Sequence, residues 1–155
     1  MTPRILGIDP GKHGGLALIH GPKAYAEQMP ISGKELDVHE LAVWIKGWEP
    51  DVAYVERVHA FPKQGVSSVF SFGKVYGIAL GVLGALGIRT ELVDPRTWKD
   101  VVLRDTTKDK DAMIAYCRRA YPGLSLVPPG KRTAHDGLAD AIGIATYGKF
   151  REGGV

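Results

Sequence analysis

Two short apolar runs that each stop at a carboxylate, Ile5-Leu6-Gly7-Ile8-Asp9 and Val52-Ala53-Tyr54-Val55-Glu56, constrain what this chain can fold into more than any other feature. Apolar runs of this length, bounded by turn residues, read as buried strands. Pro10-Gly11 closes the first, and after the loop Lys12-His13-Gly14 a second strand is predicted over Leu16–His20. The two form a hairpin that a third strand, Ala24–Met29, extends. Ser32 is placed to cap a helix reaching Trp48, with Leu36, Leu41, Val43, Trp44 and Ile45 as its apolar positions and Gly47 and Pro50 at its end. After Val52–Glu56 comes a Pro- and Gly-containing loop, Arg57 to Gly65, and then a long helix capped by Ser67 or Ser68. A fifth strand, Thr90–Val93, ends at Asp94-Pro95, and helices are predicted over Arg96–Leu103, Lys108–Tyr121 and Ala134–Lys149. This order predicts an α/β architecture, a central mixed five-stranded sheet with helices on both faces.

With 155 residues, no repeat and no long linker, one domain spanning 1–155 is expected. The formal charge of +3 leans towards a polyanionic partner without identifying one. Cys117 is the only cysteine, which excludes an intramolecular disulfide and a cysteine-based zinc site. A core-strand pattern begins within ten residues of Met1, so no cleavable leader is expected and a cytoplasmic setting fits. The longest apolar stretch, Val75 to Ile88, is short of the roughly 20 residues a bilayer requires. It reads as a buried helix, and no membrane partner is expected.

The chemistry lies where the strands end. If the strands carrying Asp9 and Glu56 are parallel neighbours, both carboxylates emerge at the same sheet edge. Asp136 and Asp140, four apart near the start of the last helix, share one helical face. Each acid has a plainer explanation when taken alone. Asp9 before Pro-Gly suits a turn, Glu56 can pair with Arg57 or Arg96, and Asp136 suits a helix N-terminus. Asp140, before the small apolar run Ala141–Ala145, is less easily ornamental. Together the four repel one another unless a hard divalent cation neutralises them, and oxygen-only ligation points to Mg²⁺ or Mn²⁺. Two such ions activate a water and stabilise the leaving oxygen of a phosphodiester without a protein nucleophile.

Three motifs carry a family resemblance: Ile5-Leu6-Gly7-Ile8-Asp9-Pro10-Gly11, Val55-Glu56-Arg57-Val58-His59, and Asp136-Gly137-Leu138-Ala139-Asp140-Ala141-Ile142-Gly143-Ile144-Ala145. In this order they resemble the RuvC family of Holliday junction resolvases, which has the RNase H-like fold. The stretch His59–Ser68, followed by Phe72-Gly73-Lys74, is similar to the bacteriophage branch of that family. The resemblance spans Arg4 to about Tyr147. It implies a homodimeric, metal-dependent endonuclease that nicks two opposing strands of a four-way DNA junction.

Matched position by position, the resemblance places Asp9, Glu56 and Asp140 on the family's metal-binding acids. Cellular members set a fourth ligand three residues before the last acid, where this chain has Gly137. Asp136 is the better substitute, because it keeps the helical face of Asp140, whereas His135 is turned away. Metal contact, phosphate contact and helix capping all remain open for His135, with capping or a solvent-facing position ranked first. Lys99 and Lys110 match positions that grip DNA. Lys63 and Gln64, with His59 and Phe61, lie in the loop after Glu56, from which an exposed aromatic can stack on a base at the junction centre. The alternative for Phe61 is a loop anchor tucked into the core, and for the lysines plain solvated surface.

Gly73, Gly77 and Gly81 recur every four residues in the long helix, each costing about 1 kcal/mol relative to Ala. Such a stripe admits a second backbone, either the chain's own sheet or the same helix of a second subunit, and the resemblance favours a dimer. Other readings fit less well. An actin-like kinase shares the Asp-x-Gly hairpin but needs a second lobe. A non-catalytic junction-binding module would lack one of the acids. A nuclease of the same fold acting on RNA or on other DNA branches shares the metal site and differs in the surface around it.

Overall fold

Successive strand residues point to opposite faces, so a strand buried on both sides must be apolar at nearly every position. That is how the central strands are built in the computed structural model, which describes residues 1–153. The elements are β1 (Arg4–Asp9), β2 (Gly15–His20), β3 (Lys23–Gln28), β4 (Ile31–Ser32), β5 (Glu35–Leu36), α1 (Val38–Trp48), β6 (Val52–Glu56), α2 (Val66–Ala85), β7 (Arg89–Val93), α3 (Pro95–Val102), α4 (Lys110–Ala120) and α5 (Asp136–Arg151). Five strands form one sheet in the order β3-β2-β1-β6-β7. β2 runs antiparallel to both β1 and β3, while β1, β6 and β7 are parallel. The expected mixed five-stranded sheet is present.

Alternation divides the interior into two layers. Ile5, Val52 and Tyr54 face Trp98, Met113, Cys117 and the buried side of α5. Leu6, Ile8, Ala53 and Val55 face Leu41 and Ile45 of α1 and Val75, Val82 and Leu83 of α2. Gly7 is in β1 because α5 crosses it backbone to backbone: a Cβ there would lie 2.3 Å from the Ala141 carbonyl oxygen and 2.4 Å from the Ala145 nitrogen. Gly137 permits a similar approach at the start of α5, where a Cβ would meet the His13 carbonyl oxygen at 2.3 Å. These two glycines set how closely the last helix lies on the sheet.

Three local expectations need correction. Ser32 caps no helix; it pairs with Glu35 in the small β4–β5 hairpin, turned by Gly33 at a φ of +64°. The cap of α1 is Asp37, whose carboxylate accepts the Glu40 N–H at 2.9 Å, one turn beyond the expected start. Neither Ser67 nor Ser68 caps α2, because the helix starts at Val66 with Gly65 as its N-cap and no side-chain capping bond. Nor is α2 a buried helix: Val75, Ala79, Val82 and Leu83 are inside, while Val66 and Phe70 are 87% and 71% exposed. At 20 residues it is also long and apolar enough to cross a membrane by length and composition, so length alone does not exclude a span. Its inner face is instead sealed against the sheet layer.

Candidate active site

Strand pairing fixes the first two acids. Ile8 lies opposite Val55 in the parallel β1–β6 ladder, so Asp9 and Glu56 leave neighbouring strands at the same end of the sheet. The close contact of Gly7 with Ala141 and Ala145 then carries Asp140 over that strand end. Three acids that are remote in sequence thereby share one half-buried place.

Their proton affinities record the arrangement. Burial is the main reason the Asp9 carboxyl is pushed up to about 8, with Glu56 and Asp140 adding repulsion and Lys99 partly opposing it. Asp140 is raised to about 6 by burial first; Glu56 and Asp136 push the same way, against Lys99 and Lys110. Glu56 is raised by burial, while an N–H from Trp98 and the charge of Lys99 act against that. Burial, with repulsion between neighbouring acids at Asp9 and Asp140, makes it costly to ionise these carboxyls together unless a cation joins them. A donor set made only of carboxylate oxygens, short of positive charge, fits a hard divalent cation. Among the described residues no three His, Cys, Asp or Glu side chains yet enclose a point that would hold an ion, so binding one requires these side chains to draw together.

Asp136 stands apart from the other three. Its carboxylate pairs with Lys110 Nζ at 2.5 Å at the half-exposed rim. The Asp136 charge acts on Asp140, whereas the charges acting on Asp9 are those of Glu56, Asp140 and Lys99. His135 is the N-cap of α5, with Nδ1 accepting the Leu138 N–H at 3.3 Å. Lys99 reaches into the acid cluster from α3, with Nζ 5.2 Å from the centre of the Trp98 ring. Lys110 is held by Asp136, so the two basic residues expected to grip DNA both lie beside carboxylates.

The loop after Glu56 is exposed and ordered by its own bonds. Phe61 donates its N–H to Gln64 Oε1 at 2.7 Å, and Lys63 sits at a φ of +70°, which closes a tight turn. Phe61 is 65% exposed and therefore no core anchor. His59 Nε2 lies 3.3 Å from Asp94 Oδ1, which also pairs with Arg57 at 3.6 Å. Two clefts flank the acids. One of about 530 Å³ runs from Asp9 along Lys12 and His13 to Ser67 and Ser71, and one of about 520 Å³ runs from Glu56 past Phe61, Phe72 and Tyr76.

The structural alternatives proposed for Glu56 fail: Arg57 pairs with Asp94 and Arg96 with Asp100. Its partner is Trp98, whose indole Nε1 donates to Glu56 Oε2 at 2.7 Å. Neither Trp98 nor Asp94 stands out in the sequence as a site residue. The only hint is that a half-buried acid needs some donor, and an indole N–H is a donor that carries no charge to draw attention.

The raised carboxyls predict a pH dependence for the metal-free protein. Asp9 and Asp140 hold protons in the folded state at pH values where the unfolded chain has released them. The folded state then binds more protons, so stability falls as pH rises from about 4 towards 8 and levels off above. The melting temperature in EDTA is expected to be higher at pH 5 than at pH 8, with Mg²⁺ recovering the loss at pH 8. A flat profile in EDTA would mean that these carboxyls are not displaced.

No family model matches the chain, and no curated protein matches it. Solved structures do. Thermus thermophilus RuvC in complex with Holliday junction substrate superposes with a TM-score of 0.72 at 22% identity, covering 97% of this chain and 94% of that one. The yeast mitochondrial Holliday junction resolvase Ydc2 gives 0.64 at 14% identity over 94% of this chain and 77% of its own. Fowlpox virus resolvase, solved with Holliday junction DNA, gives 0.55 at 17% identity over 96% and 99%. From its first strand to its last helix, the chain has the RNase H-like fold of the RuvC-type Holliday junction resolvases.

Proposed function

We propose that this chain is a structure-selective endonuclease that resolves four-way DNA junctions by metal-dependent phosphodiester hydrolysis. The observation that carries the reading is the meeting of Asp9, Glu56 and Asp140, from two parallel strands and one helix, at a site short of positive charge. Asp9, Glu56 and Asp140 would hold Mg²⁺ or Mn²⁺, two ions per site, with Asp136 joining once it leaves Lys110. Bound there, such ions would activate a water and stabilise the leaving oxygen. Lys99 offsets the acid charge so that a phosphate can approach, and Lys110, now paired with Asp136, would be available for phosphate contact if Asp136 served as a metal ligand. The His59–Gln64 loop presents Phe61 to unpaired or unstacked bases, which are more exposed at a branch than within a duplex.

A symmetric junction calls for two such sites, and a second copy of this chain would supply the other. The outward side of α2 supports that reading. Val66, Phe70, Gly73, Gly77, Gly81 and Gly84 follow one another at helical spacing, all are exposed, and a Cβ at any of these glycines would meet nothing within 4 Å. Lys74, the one charged residue of α2, is drawn to Glu35. An open, uncharged glycine stripe lets two identical helices approach closely. Gly77→Arg is expected to leave a monomer in light scattering and to replace paired nicks by single, independent ones. A Gly77→Arg protein that remains a dimer would place the subunit contact elsewhere.

The reading is tested by incubating the protein with a labelled four-way junction, a matched linear duplex and an RNA/DNA hybrid, with and without Mg²⁺ or Mn²⁺. Cation-dependent cutting confined to the junction supports it. Cutting of the hybrid in preference to the junction would assign the same site to another substrate.

A further inference from the structure

We propose that Trp98 is a positioning residue for the acid cluster, holding Glu56 through its indole N–H and Lys99 over its ring face; this rests on the nuclease reading of the site. Trp98 is fully buried in α3. Its Nε1 donates to Glu56 Oε2 at 2.7 Å, and Lys99 Nζ lies 5.2 Å above its ring centre. An indole donates one bond and accepts none, so the contact engages one carboxylate oxygen and leaves the other for a cation. The bond also has a cost of failure: if Glu56 swings away, a buried N–H is left unsatisfied. Trp98 therefore biases Glu56 towards one orientation before any ion arrives.

The surroundings fix Trp98 at both ends. At the start of α3, the Asp94 carboxylate does not cap its own helix and instead reaches Arg57 and His59, which follow Glu56 in the chain. The Arg57 N–H also bonds the Val93 carbonyl at 2.8 Å, so α3 is tied to the strand end that carries Glu56. At the far edge of the indole, Gly143 of α5 makes room for the ring: a Cβ there would lie 2.5 Å from Trp98 Cζ3. Gly143 is one turn beyond Asp140, so the same ring sets the spacing between the Glu56 strand and the Asp140 helix. A hydrogen-bonding partner of this kind orients a ligand without touching the ion.

Trp98→Phe keeps an aromatic ring and removes the N–H. Turnover on saturating junction is expected to fall about 10- to 100-fold, and Mn²⁺ affinity measured by calorimetry about 10-fold, with the KM for junction changed little. A purely structural role would instead lower the amount of folded protein and leave the turnover and affinity of the folded fraction intact. Should the variant fold poorly, the unsubstituted chain gives its own test. Its Trp98 indole N–H resonance, assigned with Trp44→Phe and Trp48→Phe, is expected downfield of the other two and to shift in Glu56→Gln while they do not. Turnover and Mn²⁺ affinity within about twofold of the unsubstituted protein, or an indole signal indifferent to Glu56, would overturn the proposal. If the unsubstituted chain cuts no junction, the nuclease reading falls, and Mn²⁺ titration and the indole resonance still decide the role of Trp98.

Discussion

Asp9→Asn and Glu56→Gln are each expected to reduce junction cleavage by a thousandfold or more while leaving junction binding intact or tighter. Both changes are nearly isosteric, and both remove a carboxylate from the half-buried cluster proposed to hold the cation. Metal-ion stabilisation of a phosphoryl transition state is worth several kcal/mol, and about 4 kcal/mol corresponds to a thousandfold in rate. Binding behaves differently because it depends on phosphate contacts, and removing a carboxylate lessens repulsion of the backbone. Glu56→Gln is informative for a second reason, since its side-chain oxygen can still accept the Trp98 N–H and the fold should be preserved. Single-turnover cleavage beside gel-shift binding in Ca²⁺ separates the two effects. Both variants cutting at the unsubstituted rate would remove these acids from the chemistry.

The largest effect on stability is expected at Gly7→Ala. The added methyl would collide with the Ala141 carbonyl oxygen and the Ala145 nitrogen, backbone atoms within α5 that have no rotamer into which to retreat. Overpacking costs about 1–3 kcal/mol where side chains can yield, so a loss at or above about 3 kcal/mol is expected. The helix that must shift is the one that carries Asp140, so cleavage should fall along with stability. Gly47→Ala in α1 is the control: its Cβ would meet nothing within 4 Å, and it should stabilise by up to about 1 kcal/mol. Chemical denaturation of the two variants side by side measures both. Gly7→Ala matching the unsubstituted protein would mean that α5 does not lie on β1 as described.

Gly7 also illustrates how far the sequence could be read. Its neighbours announce a strand, because an apolar run ending at Asp9-Pro10-Gly11 has few other uses. Why that strand contains a glycine became visible only with α5 in place, since close backbone approach is a tertiary fact. The acids Asp9 and Glu56 were legible because strand ends and parallel pairing follow from local pattern and element order. Asp136 looked equivalent to Asp140 by helical spacing, yet it lies at the rim with Lys110, a partner on α4 that spacing within α5 does not reveal. Ser32 satisfied the composition rule for a cap and was overruled by a two-residue hairpin at Gly33, with Asp37 better placed to bond the first turn. For α2, apolar content suggested burial, but Val66, Phe70 and Phe72 face outward. Composition reports how much apolar surface a helix has, not which neighbour covers it.

Asp9, Glu56 and Asp140 are expected to bind divalent cations together where the parallel strands end. Crystals of the protein grown with Mn²⁺ and measured at the manganese absorption edge would show this. Anomalous peaks are predicted within coordination distance of oxygens from all three side chains. Manganese bound only elsewhere, under conditions in which the protein cuts a junction, would mean that these three acids are not the metal site.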